Sequence, residues 1–207
     1  MVDPDLHSPQ THTECAPDGA LGATRKPSIP DFLSHTYEAA NGPFRSLTRM
    51  TAGDDERLLA RIRQRGDVFA SRRTPDYLRI RRELEARVRA LFTAAGGQPV
   101  LAQPHYMILG TCPWMKTWYV DGRELRVPLA HFPTEVVSFT YGDTFPAMRF
   151  NDGKATRGRI YRLEQLTQLI ADFGLPQEVN PEGAVGPDRY IEAQIWDDAP
   201  LRPYLPY

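Results

Sequence analysis

The run T-P-D-Y-L-R-I-R-R-E-L-E-A-R-V-R-A-L at residues 74–91 is followed, past Gly96-Gly97, by H-Y-M-I-L at residues 105–109. The first run repeats apolar residues at three- and four-residue spacing: Tyr77, Ile80, Leu84, Val88 and Leu91. That period makes one buried stripe on a helix. Thr74 is a suitable N-cap and Pro75 suits the first helical position, where a missing N–H costs nothing. Arg79, Arg82, Glu83, Arg87 and Arg89 fall on the other side, a mixed-charge face that water can cover. The second run is short, apolar and strand-like. The change of period between the two decides the fold class.

Upstream, Leu58, Leu59 and Ile62 give another helix, started by Thr51 and Asp54 in a capping-box-like pair and stopped at Gly66. Residues 31–40 read as a short helix or an extended lead-in, broken at Gly42-Pro43. Downstream, residues 117–120 and 124–129 flank Asp121-Gly122, a two-residue hairpin signal. Residues 135–141 are rich in Val, Phe, Thr and Tyr, which suit a pleated surface. Residues 147–150 and 159–161 read as a second hairpin. A late helix spans 163–173, with Leu166, Leu169, Ile170 and Phe173 inward. Residues 190–196 form a last strand, and the proline-rich residues 200–207 an extended strap. Helices first, strands after, and one helix inserted late predict an α+β fold with a mostly antiparallel sheet.

The chain has 207 residues and a formal net charge of -1, with 25 % charged and 41 % hydrophobic residues. Residues 1–28 are too poor in apolar side chains to offset the entropy of ordering, so they read as a disordered tail before one α+β domain at 29–207. The balanced charge argues against a nucleic-acid partner. No apolar run approaches the roughly 20 residues that span a bilayer, which argues against a membrane. The first residues carry neither a basic nor an apolar signal segment, so the expected location is the cytoplasm. Cys15 and Cys112 cannot build a disulfide framework. His35, His105 and His131 lack zinc spacing, so no metal is expected. No cofactor and no oligomeric state is indicated. Only Lys26, Lys116 and Lys154 are lysines, which makes arginine the available cation for an anion site.

Three segments carry the groups a site needs. Residues 104–119 hold His105, Tyr106, Trp114 and Trp118, which suit a ligand wall as well as a core. Cys112 in that stretch is either a nucleophile paired with His105 or His131, or a buried inert thiol. Residues 141–149 offer Tyr141, Asp143 and Arg149 on a loop, with Arg157 nearby for an anion. In the strand 190–196, Tyr190, Glu192, Gln194 and Trp196 share one face, and Ile191, Ala193 and Ile195 the other. A carboxylate, an amide and two aromatics on one face point to chemistry. These residues predict an enzyme for a small polar or anionic ligand, nucleotide-like compounds included. Glu192, Asp143 and Tyr141 are the catalytic candidates. Arg149, Arg157, His105, Tyr106, Trp114, Trp118 and Gln194 are the binding candidates. The alternative is an interaction module of the immunity or antitoxin type, presenting an exposed aromatic patch.

The stretches P-H-Y-M-I-L-G (104–110), S-F-T-Y-G-D-T-F-P-A-M-R (138–149) and G-P-D-R-Y-I-E-A-Q-I-W (186–196) resemble a group of uncharacterised bacterial proteins of similar size. That resemblance implies no activity. S-L-T-R (46–49), S-F-T-Y-G-D (138–143) and Y-I-E-A-Q (190–194) resemble, in their order, the ADP-ribosyltransferase superfamily. It implies a polar residue on an early strand (Thr48 or Arg49), Tyr141 on a middle strand and a catalytic Glu192 on a late one.

Overall fold

The computed structural model describes residues 28–51 and 53–205. The tail read at residues 1–28, Cys15 included, lies outside the described residues except for Ser28. Five strands, β1 (Phe32–Glu38), β2 (His105–Leu109), β3 (Gly122–Pro128), β4 (Val137–Tyr141) and β5 (Ile191–Ile195), form one sheet in the order β3-β1-β2-β5-β4. Every pair is antiparallel. The helices are α1 (Asp54–Arg65), α2 (Tyr77–Ala94), α3 (Thr144–Arg149), α4 (Leu166–Phe173) and α5 (Pro176–Val179). The fold is α+β. Among the described residues, no helix is long and apolar enough to cross a membrane.

The helices do not come first. Residues 32–38 form a strand between β2 and β3, paired along its whole length with β3. Its Phe, Thr and Tyr favour that pleat over a helix. The hairpin expected at Asp121-Gly122 is absent for a related reason. Residues Pro113–Trp118 coil into a 3-10 helix, and β3 pairs with β1 instead. A Cβ on Gly122 would lie 2.3 Å from the Lys116 carbonyl oxygen, so the chain reverses tightly onto that helix. The second expected hairpin is also replaced. Residues 147–149 belong to α3, and Tyr161 alone bridges to Phe139 on the outer edge of β4.

Smaller shifts concern helix ends and the C-terminus. Asp76, not Thr74, precedes α2, and the Thr74 hydroxyl donates to its carboxylate at 2.5 Å. Gly53 precedes α1, and the Thr51 hydroxyl bonds the Asp54 side chain. Phe173 is 44 % exposed at the end of α4, whereas Leu166, Leu169 and Ile170 are buried as their spacing predicts. The C-terminal strap is a 3-10 turn, Ala199–Tyr204, that buries Leu201.

Each face of the sheet is covered. Leu33, Met107, Leu109, Phe139, Ile191, Ala193 and Ile195 meet Leu166, Leu169 and Ile170 of α4 in the main apolar core. On the other face, Trp196 packs against Leu84, Val88 and Phe92 of α2 and Met148 of α3. A satellite cluster of Ile108, Cys112, Met115 and Tyr190 closes that face beside the 113–118 helix.

Candidate functional site

Strand β5 reads I-E-A-Q-I and is buried along its whole length. Its alternation sends Ile191, Ala193 and Ile195 to the α4 core and Glu192 and Gln194 to the α2 side. In register, Glu192 lies opposite Thr140 and Ile108, and Gln194 opposite Ser138 and Tyr106. The α2 side is therefore lined by Ser138, Thr140, Tyr106, Glu192 and Gln194. Helix α2 adds two charges to the same layer. Leu78, Arg81, Glu85, Val88 and Phe92 recur at three- and four-residue spacing and are all buried.

Hydrogen bonds order this layer. Gln194 Oε1 accepts from Ser138 Oγ at 2.9 Å, and its Nε2 donates to Thr140 Oγ1 at 3.1 Å and Thr144 Oγ1 at 3.3 Å. Trp196 Nε1 donates to Ser138 Oγ at 2.9 Å. Glu192 Oε2 accepts from the Thr144 backbone N–H at 2.9 Å and from Thr144 Oγ1 at 2.5 Å. The loop that delivers Thr144 turns at Gly142, whose φ is 91° and where a Cβ would lie 2.8 Å from Asp188 Oδ1. Asp143 caps α3, accepting the Phe145 N–H at 2.7 Å, and its other oxygen accepts the Tyr190 hydroxyl at 3.0 Å. Glu85 Oε1 accepts from Thr48 Oγ1 at 3.0 Å, Tyr106 Oη at 3.1 Å and Arg81 Nε at 3.3 Å. Glu85 Oε2 is buried with no partner among the described residues.

The Arg81 guanidinium sits between two rings, 3.8 Å from the centre of Tyr106 and 5.4 Å from that of Phe145. Phe145 stacks on Tyr77 at 5.3 Å, and the Arg73 guanidinium lies 4.4 Å from Tyr77. This column of alternating cations and rings runs from α2's start into the layer, and such contacts are strongest where water is excluded. Arg81 is 8 % exposed and Glu192 6 %. Beyond Nε, the guanidinium donates to no described residue and makes no ion pair with Glu192 or Asp143. It still acts on Glu192 through its field. Burial pushes the Glu192 carboxyl up to about 7, Asp143's charge adds to that, and Arg81 with the Thr144 bonds pulls the other way. Burial also raises Glu85, against Arg81 and its three donors. The Tyr106 and Tyr190 hydroxyls are held well above their ordinary range by burial, so both are neutral donors.

Glu192, Asp143, Tyr106 and Gln194 thus meet in one layer, together with Arg81, Glu85, Thr144 and Tyr190. The other candidates go elsewhere. Tyr141 points to the α4 core, where its hydroxyl donates to the Phe173 carbonyl at 2.7 Å and burial raises it to about 12. It shares no face with Glu192. Arg149 is exposed, 5.9 Å from the Phe145 ring centre. Arg157 is held by Asp152 at 2.8 Å and Asp188 at 2.6 Å, a structural clamp between loop segments. Trp114 and Trp118 are half-buried beside Tyr190 and Cys112, and Trp118 stacks on Phe69 at 3.9 Å. His105 bonds Asp198 at 2.6 Å, and Asp198 also takes both ends of the Arg49 guanidinium. Burial raises the Cys112 thiol to about 12, with Glu124 adding, which is the reverse of what a nucleophile needs.

A surface groove of about 610 Å³ lies between α1 and α2, lined by Leu59, Arg63, Leu78 and Arg82 among others. No residue of the segments 104–119, 141–149 or 190–196 lines it. Tyr106, Asp143, Thr144, Glu192 and Gln194 of those segments meet in the layer between α2 and the sheet. Among the described residues, no three His, Cys, Asp or Glu side chains are placed to hold a metal ion. Compared with known proteins, the chain matches no family model, no curated protein and no solved structure.

Proposed function

We propose that this chain is an enzyme that performs general acid–base chemistry on a small polar or anionic substrate in the layer between α2 and the sheet. One observation carries the reading. The buried Arg81 guanidinium, paired through Nε with Glu85 at 3.3 Å, keeps Nη groups that bond no described residue and acts through its field on the Glu192 carboxyl, which burial raises to about 7. Buried groups with strongly perturbed proton affinities and open donor positions cluster at functional sites. Arg81 holds the substrate's acceptor atoms through its planar fork. Glu192, with a pKa near neutrality, takes or gives the proton. Asp143 keeps Glu192's proton affinity high through its charge, and Gln194 fixes the Thr144 hydroxyl that Glu192 bonds. The Phe145–Tyr77 stack is the wall a substrate passes.

The test is turnover. The purified chain is incubated with pooled small metabolites, and consumed compounds are read by mass spectrometry. Glu192→Gln keeps the shape and the Thr144 contacts but cannot carry a proton. It is expected to slow turnover by about 10²–10⁴-fold, and the wild-type rate is expected to titrate near pH 7. Turnover that survives Glu192→Gln unchanged overturns the assignment.

A further inference from the structure

We propose that the ligand of this layer is a small zwitterion of the α-amino acid class, its carboxylate on Arg81 and its ammonium on Glu85 and Glu192. The inference rests on the acid–base reading above and narrows its substrate.

The argument is one of charge and open valence. Arg81 pairs through Nε with Glu85 at 3.3 Å, and the charges of Asp143 and Glu192 act on it across the layer without a direct contact. Asp143 has a donor on each oxygen, from Phe145 N–H and the Tyr190 hydroxyl. Glu85 does not: it is 1 % exposed, all three of its donors share Oε1, and Oε2 is bare. A bare buried carboxylate oxygen is costly and demands a donor. Glu192 has both Thr144 bonds on Oε2 and none from a described residue on Oε1, an oxygen that is not shut away as Glu85 Oε2 is. The layer therefore offers two acceptor positions and, on Arg81 Nη1 and Nη2, a two-pronged donor.

Three kinds of small ligand can be weighed against that set. A plain anion satisfies the guanidinium but places a further negative charge among three carboxylates at low dielectric. A plain amine satisfies the open oxygens and leaves the guanidinium fork empty. An amino acid satisfies both. Its carboxylate matches the bidentate geometry of a guanidinium, and its ammonium brings three donors and the missing positive charge.

The experiment is calorimetric titration of the full chain with alanine, serine, aspartate and lysine as free amino acids. Ethylamine, propionate and inorganic phosphate serve as the separated charges. At least one amino acid is expected to bind ten-fold or more tighter than ethylamine or propionate. Glu85→Gln, a near-isosteric change, is expected to weaken that binding ten-fold or more, and its circular dichroism spectrum checks the fold. Propionate or phosphate binding as tightly as any amino acid overturns the zwitterion and leaves the acid–base enzyme standing. So does amino acid binding that ignores Glu85→Gln. If none of these compounds binds and no metabolite is consumed in the turnover screen, both readings fall together.

Discussion

On the α4 face of the sheet, β5 contributes Ile191, Ala193 and Ile195 to a core built of aliphatic and aromatic side chains. On the α2 face the same strand contributes Glu192 and Gln194 to a layer of hydroxyls, an amide and charges. Both faces are out of water. The apolar one is sufficient to hold a sheet to a helix, since burial of apolar surface contributes about 25 cal/mol per Å². On the α2 face that contribution comes from the Trp196 cluster with Leu84, Val88 and Phe92, while the polar layer beside it adds little, because buried charges recover their desolvation only with full pairing. Its pairing is incomplete at Glu85, Glu192 and Arg81. A fold selected for stability alone would fill those positions with leucine. The contrast is what the proposed chemistry on the α2 side rests on, against the apolar packing at α4.

The sharpest way to break that division is to empty the apolar side. Leu166 is fully buried where α4 meets the sheet. Leu166→Ala is expected to cost about 2–5 kcal/mol, from lost transfer energy plus the cavity left behind. Urea denaturation measures it. A cost below about 1 kcal/mol would mean that α4 is not what holds the sheet, and the comparison would lose its stable half.

The polar side is distinguished by the direction of its pH dependence. Glu192 titrates at about 7 when folded and near 4.5 when unfolded, because burial disfavours its charge. Below pH 4.5 it is protonated in both states and costs nothing. As the pH rises from 4.5 to 7 the unfolded chain gives up the proton and the folded chain keeps it. Stability therefore falls through that window, by roughly 3 kcal/mol at most. His35 slopes the other way. Its Nε2 accepts the Phe44 N–H, so its Nδ1 donates to the Tyr106 carbonyl. Burial lowers it from 6.5 to about 4, so it loses stability as the pH falls through that range. Comparing wild type with Glu192→Gln cancels the histidine. The variant is expected to gain on the wild type steadily between pH 4.5 and 7 in urea melts. A difference that is flat with pH would show Glu192 to be an ordinary ionised carboxylate.

These contrasts also mark where sequence reading succeeds. The alternation in Y-I-E-A-Q-I-W separates the two faces of β5, and the late helix shows its buried leucines by period. Arg81 and Glu85 escape because the buried stripe is read from apolar residues alone, charge being the usual mark of exposure, and neither belongs to the solvated face of Arg79, Arg82, Glu83, Arg87 and Arg89. The signal was their position: 78, 81, 85, 88 and 92 form a stripe at helical spacing, with two charges in apolar company. Tyr141 and Asp143 are close along the chain, but β4 ends at Tyr141, whose ring stays in the α4 core, and the turn at Gly142 carries Asp143 to the Tyr190 hydroxyl on the other side. The Asp121-Gly122 turn misleads because β3's partner, β1, lies some 90 residues earlier, and local turn chemistry carries no information about that pairing.

Tyr141 supplies the smallest and most discriminating test. Its hydroxyl donates to the Phe173 carbonyl at 2.7 Å at the end of α4, and its ring lies among apolar neighbours. Tyr141→Phe keeps the ring and removes one hydrogen bond. The expected cost is about 1 kcal/mol, the net value of a single bond whose acceptor can turn to solvent or a neighbour. Thermal denaturation of the variant reads this directly. A variant with unchanged stability that loses turnover would move Tyr141 from the stabilising face to the reacting one. That result would require the substrate to reach both sides of β4, which the closed α4 core does not permit in this arrangement, and the two-face division would have to be abandoned.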